Sequence, residues 1–221
     1  MIGREVDWSP VEPPARAELP GERVTLRPAR AQDAEALYEA GRDPAIWTYL
    51  PYGPFASADD LRASLLEMEA SDDPLFFAIW RDGVPQGIAA YLRIEPVHGT
   101  IEIGHIWFGT PLQRTAAATE AIFLLARHAF DELGYRRLEW KCDSHNAKSR
   151  AAAERFGFTY EGVFRNHMVV KGRNRDSAWF AITREDWPAI RVAFERWLAP
   201  ENFDEHGRQR RSLAELRQTP R

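Results

Sequence analysis

The chain has 221 residues, 44% of them hydrophobic and 28% charged, with a formal net charge of -4. That length and balance suit one globular domain with a sizeable core and exclude a disordered chain. The acidic excess argues against a nucleic-acid binder, and a single cysteine, Cys142, excludes an intrachain disulfide framework, as in a reducing cytoplasm.

Residues 1–20 carry Pro10, Pro13, Pro14 and Pro20 among acidic side chains. They read as an extended arm, without the apolar run of a signal peptide or a membrane-spanning helix. Residues 23–27 alternate polar and apolar, predicting a strand, and 32–42 take up a helical period. The stretch 47–55 mixes Trp47, Tyr49, Tyr52 and Phe55 with two prolines and a glycine, a loop, after which Ser57 caps a second helix running to about Ala70.

Apolar runs at 76–80, 87–94 and 100–108, separated by Asp82-Gly83 and His98-Gly99, predict an antiparallel meander. From Arg114 to Leu133 the residues Ala118, Ile122, Leu125, Ala129 and Leu133 form one stripe, a long amphipathic helix closed by Gly134. A strand at 137–142, a helix at 146–156 stopped by Gly157, strands near 158–170 and 177–183, and a helix opened by Asp186-Trp187-Pro188 complete the domain, 21–198. Segment 199–221, with Arg208, Arg210, Arg211, Arg217 and Arg221, reads as a solvated or subunit-packing basic tail. A helix between strands in the middle of the chain implies a parallel crossover, hence a mixed sheet in an α+β architecture.

The junction of the third meander strand with the long helix carries the chemistry. A strand delivers the chain to Gln113-Arg114-Thr115-Ala116-Ala117-Ala118, where small residues begin a helix. A helix start offers unpaired N–H groups and a positive dipole end, a cradle for a pyrophosphate. An alanine-rich helix start also arises from helix propensity alone. No second Cys/His pair accompanies Cys142 and His145, so no metal site is expected.

That run resembles the acyl-CoA pyrophosphate loop of GNAT N-acetyltransferases, Gln/Arg-x-x-Gly-x-Gly/Ala, and with Thr119-Glu120-Ala121 it is most similar to the RimJ/RimL-type ribosomal-protein N-terminal acetyltransferases. The resemblance implies a mostly antiparallel, twisted sheet whose splayed central strands hold the acyl-CoA. It implies donor contacts from Ile106, Trp107, Phe108 and the loop Gln113 to Ala118, with acetyl-CoA as acyl donor and a primary amine, a peptide N-terminus or small molecule, as acceptor. Ala116 stands where the family usually has its first glycine. Asn146 and Ser149 match the family's Asn-x-x-Ser helix start, which contacts the pantetheine arm and thiol, although Asn146 also reads as an ordinary N-cap. The family's tyrosine acid is replaced by Ala153, so thiolate protonation would fall to Ser149 or water.

An amine must lose a proton to attack, so a base near neutral pH is useful. Glu102 aligns with an acidic residue of the RimJ/RimL pattern and is favoured, acting directly or through water; His105 is the alternative, and a reaction without a dedicated base the third option. Three residues apart on a strand, the two point to opposite faces unless a bulge intervenes. The N–H of Trp107 is the expected oxyanion donor. Trp47, Tyr49, Tyr52 and Phe55 are expected to wall the acceptor pocket, with core packing as the competing role. The basic turn Lys171 to Asp176 reads either as solvated charge or as a site for an acidic acceptor or a CoA phosphate. A non-catalytic acyl-CoA sensor is the rival function, and a homodimer is left open.

Overall fold

The computed structural model describes residues 2–218; Met1 and 219–221, including Arg221 of the basic tail, lie outside the described residues. One eight-stranded sheet runs in the order β1-β2-β3-β4-β5-β6-β8-β7. Its strands are β1 (Leu19–Pro20), β2 (Thr25–Pro28), β3 (Leu75–Arg81), β4 (Val84–Glu95), β5 (Thr100–Phe108), β6 (Arg137–Asp143), β7 (Thr159–Val170) and β8 (Arg173–Thr183). All neighbours are antiparallel except β5 and β6, which are parallel, the expected crossover. This is the mixed, mostly antiparallel α+β architecture predicted.

The helices divide between the two faces. On one face α3 (Ala116–Arg127), α4 (Ala147–Phe156), α5 (Trp187–Leu198) and α6 (Leu213–Gln218) close a core that includes Ile101, Ile103, Leu138, Trp140 and Phe180. On the other, α1 (Ala34–Ala40) and α2 (Ala58–Ala70) cover only Phe76, Ala78, Ile88, Ala90 and Trp107 of β3 to β5. The same face of β6 and β8 carries polar side chains and no helix, because Arg137, Glu139 and Lys141 alternate with buried Leu138, Trp140 and Cys142.

The long helix is α-helical to Arg127 and ends in a π-turn over His128–Glu132. Buried Tyr91 donates its hydroxyl to the Leu125 carbonyl (2.5 Å) there and lies 3.3 Å from His128 Nδ1, supplying a partner where the helical register changes. Glu120 ties this helix to the first strands. Its buried carboxylate accepts from the amides of Arg23 (2.6 Å) and Val24 (2.9 Å) and pairs with the Arg23 guanidinium at 3.4 Å.

Segments on both flanks of the domain make contacts with it. The arm stays extended, but Trp8 donates to the Val97 carbonyl (2.8 Å) and lies beneath the guanidinium groups of Arg136 and Arg184. In the segment expected to be a solvated or subunit-packing tail, Arg208 and Arg210 are exposed, but Leu213 and Leu216 are buried against the core, and Arg217 hydrogen-bonds the carbonyls of Glu154 and Arg155 at the end of α4. Carbonyls at a helix end lack intrahelical donors, so an arginine satisfies them.

Candidate active site

The β5–β6 pairing covers only Thr100↔Arg137 through Ile103↔Trp140. Beyond it β5 continues to Phe108 beside β4, and β6 continues to Asp143 beside β8, so the two strands diverge and leave a gap with unpaired edges. Ile106 and Phe108 pack against the first core on the α3 side of that gap.

Phe108 supplies a free backbone donor at the gap. Gly109 donates to the Gln86 carbonyl (2.7 Å), which marks a hydrogen-bonded pair, and antiparallel alternation then turns Trp107 toward β4 and Phe108 away from it. The Phe108 carbonyl accordingly accepts from Gln113 Nε2 (2.9 Å) on the side of the gap. The expectation for Trp107 is therefore corrected: its N–H faces β4, and its indole is buried 5.0 Å from Trp47.

At the start of α3, Thr115 is the N-cap. Its hydroxyl accepts from the Ala118 amide (3.2 Å) and donates to the Leu112 carbonyl (2.7 Å). Among the described residues, the amides of Arg114, Thr115, Ala116 and Ala117 find no acceptor in the chain. The left-handed angle falls on Arg114 (φ 59°), and Ala116 is a regular helical residue. Alanine therefore replaces the family's glycine without backbone strain, and four free N–H groups at a helix start fit a pyrophosphate.

Across the gap, Asn146 caps α4 by accepting from the Ser149 amide (3.1 Å), and Ser149 Oγ accepts from Trp140 Nε1 (3.0 Å). Ser149 is thereby held at the point of divergence. Ala153 is fully buried, and Cys142 is buried with its thiol pushed up by desolvation, so neither replaces a tyrosine acid or acts as a nucleophile.

The base candidates are brought together by a bulge. Ile88 pairs with Trp107 but Ala90 with Gly104, so β5 carries one extra residue, and His105 has a φ of 50°. The His105 ring stacks on Tyr52 (5.6 Å, 3°) and meets Phe76 (5.1 Å) on the face of α1 and α2. Glu102, opposite in alternation to Ile101 and Ile103, lies on the same face. Its side chain is 2% exposed, and Arg93 Nε and Lys141 Nζ each lie 3.5 Å from its Oε2. Burial raises the Glu102 carboxyl to about 7, against the pull of Lys141 and Arg93. Burial, with the charges of Lys141 and Arg175, lowers His105 to about 4, so its imidazole is neutral at physiological pH.

Of the four aromatics expected to wall an acceptor pocket, Trp47 is corrected to a core residue: it is 2% exposed and donates Nε1 to the Gly41 carbonyl (2.8 Å). Phe55 packs edge-on against it at 5.3 Å. Tyr52 reaches His105, with a buried hydroxyl that has no partner and a pKa raised by burial. Tyr49 is exposed and donates to the His145 carbonyl (3.2 Å), while Lys171 Nζ at the β7–β8 turn reaches the Trp47 carbonyl (2.9 Å). These two bonds join the loop between α1 and α2 to the β6–α4 and β7–β8 turns across the gap. Sequence reasoning missed Arg93 and Lys141; the alternation of β6 marks Lys141 as facing away from the core, but only strand pairing sets it beside Glu102.

The acetyltransferase (GNAT) domain family matches residues 23–159, more than half of the chain. The chain belongs to the GNAT acetyltransferases. It is 46% identical to a solved GCN5-related N-acetyltransferase from Brucella melitensis, with a TM-score of 0.94 over 96% of this chain and 99% of that one. The Escherichia coli ribosomal-protein-serine acetyltransferase is 32% identical over 89 residues, 40% of this chain and 49% of that one, in keeping with the RimJ/RimL-like resemblance. The microcin C7 self-immunity acetyltransferase MccE, solved with acetyl-CoA and AMP, shares the fold at 24% identity (TM-score 0.67, 74% of this chain and 93% of that one). GNAT enzymes use acetyl-CoA, and this acetyltransferase has no group of metal-ligating side chains and no helix long and apolar enough to cross a membrane among its described residues.

Proposed function

We propose that this acetyltransferase moves an acetyl group from acetyl-CoA to a primary amine, a peptide N-terminus or a small molecule, by direct attack in a ternary complex. The observation that carries the reading is the gap between β5 and β6, with unpaired α3 amides beside it and a buried carboxylate at neutral pKa on the face of α1 and α2. In this reading Gln113 to Ala118 hold the pyrophosphate, with Arg114 adding charge. Ile106 and Phe108 line the pantetheine arm, and Asn146 and Ser149 flank the thioester.

The amine nitrogen attacks the thioester carbonyl, whose developing oxyanion takes the Phe108 N–H. Glu102, directly or through water, accepts the proton released by the nitrogen, and His105 and Tyr52 shape the approach. The C–S bond then breaks, and the thiolate takes a proton from Ser149 or water. Such an enzyme suits the cytoplasm, where acetyl-CoA and reduced thiols coexist.

Thiol release and mass spectrometry with acetyl-CoA and a panel of amines and peptides test this directly. Acetylated product at rates above the uncatalysed reaction is expected. Binding of acetyl-CoA without release from any acceptor would refute the catalytic reading and leave the sensor.

A further inference from the structure

The face of β5, β6 and β8 that bears Glu102 carries more positive charge than this one carboxylate can balance. Strand register places Glu102 beside Glu139, and Lys141 beside Trp179. Arg93, at a second bulge where φ is 51°, reaches across to the same place; its guanidinium lies 5.1 Å from the Trp179 ring, and Lys141 Nζ lies 5.0 Å from it. Glu139 is committed to Arg137 at 2.7 Å, which also holds Glu161 of the edge strand. Glu102 is therefore shared between two cations.

Arg175, on the same face of β8, has no carboxylate partner among the described residues, and its Nε is buried without a hydrogen bond. It lies close enough to Lys141, His105 and His167 for its charge to lower the pKa of each. Two more donors on the site's walls, Trp179 Nε1 and Tyr52 Oη, are also buried without partners. Buried polar groups are ordinarily satisfied, and a donor left unpaired costs about 1–3 kcal/mol.

A simple amine satisfies neither Arg175 nor Trp179, whose ring and guanidinium nitrogens only donate. It arrives as an ammonium, adds positive charge beside Arg93, Lys141 and Arg175, and offers donors to donors. A carboxylate carries no donor and two acceptor oxygens.

We propose that the acceptor is an amine that also carries a carboxylate, bound through Arg175 while Glu102 takes the amine. The inference rests on the acetyl-transfer reading. It fits a free amino acid or a peptide with an acidic residue near its N-terminus, which share this chemistry.

The test uses the full chain with two matched pairs: γ-aminobutyrate against butylamine, and Ser-Glu-Ala-amide against Ser-Gln-Ala-amide. The carboxylated member of at least one pair should show a kcat/KM tenfold or more above its uncharged partner, and the pair that responds identifies the source. Arg175→Gln should erase that preference through KM and leave the KM for acetyl-CoA unchanged, with Arg175→Lys restoring part of it. Equal or better turnover of the uncharged partners, or an Arg175→Gln effect equal on both members, overturns the proposal. So does an absence of CoA release from these four compounds while other amines of the wider panel do release it; acetyl-CoA raising Tm with no release from any acceptor would overturn the acetyl-transfer reading beneath it.

Discussion

Replacing Glu102 with glutamine separates its two roles. In the folded chain the carboxyl titrates near 7, against an ordinary 4.5, chiefly because it is buried. One pKa unit corresponds to about 1.36 kcal/mol, so ionising Glu102 in the native state costs about 3 kcal/mol of stability. The sign follows from proton linkage: between pH 4.5 and 7 the folded chain binds more protons than the unfolded one, and its stability falls as pH rises through that window. Glutamine resembles the protonated acid and cannot titrate. Urea unfolding from pH 4.5 to 8.5 should therefore show Glu102→Gln drawing ahead of the parent by up to about 3 kcal/mol, with a plateau above pH 7. The same variant should lose about 10²–10⁴ in kcat/KM and the acidic limb of its pH profile. A stability difference that does not change with pH would refute the buried-acid assignment, and an unchanged rate profile would refute the base.

Glu120→Ala should cost about 3–5 kcal/mol, because it strands the amides of Arg23 and Val24 and leaves the Arg23 guanidinium without its buried partner; calorimetry would show whether the amino-terminal strands still unfold with the rest. Thr115→Ala removes the α3 cap, and about 1 kcal/mol of stability with it, and should raise KM for acetyl-CoA more than kcat falls. Trp47→Ala is expected to act as a core cavity, lowering stability by about 3–5 kcal/mol in thermal unfolding. A variant with normal Tm and a raised acceptor KM would return Trp47 to the pocket wall.

The elements were legible where the signal is local. The cap at Ser57, the small residues that begin α3, the Gly157 stop and the alternation of β6 all act through neighbouring residues, and they appear where the sequence places them. What was hidden depends on pairing between distant segments. Nothing around His105 announces the extra residue that turns it onto the face of Glu102, because bulge position follows from register with β4. The surroundings of Glu102 likewise come from Arg93 and Lys141, brought in by β4 and β6. The aromatic loop lacks any period, so its composition could not separate buried Trp47 from exposed Tyr49. Helix α6 escaped notice because Leu213 and Leu216 are its only buried side chains in a segment otherwise rich in charge.

The four residue pairs joining β5 to β6 are the sheet's only bridge between five strands on one side and three on the other. Mechanically this is a seam, and the halves it joins are each better tied internally than to one another. A molecule seated in the widening part of the seam would offer hydrogen-bonding groups to both exposed edges and act as a short missing strand. Donor binding should then be read as cohesion: amide exchange in β6 and β8 should slow together with that in β4 and β5 when acetyl-CoA is added, although few of those amides could touch it.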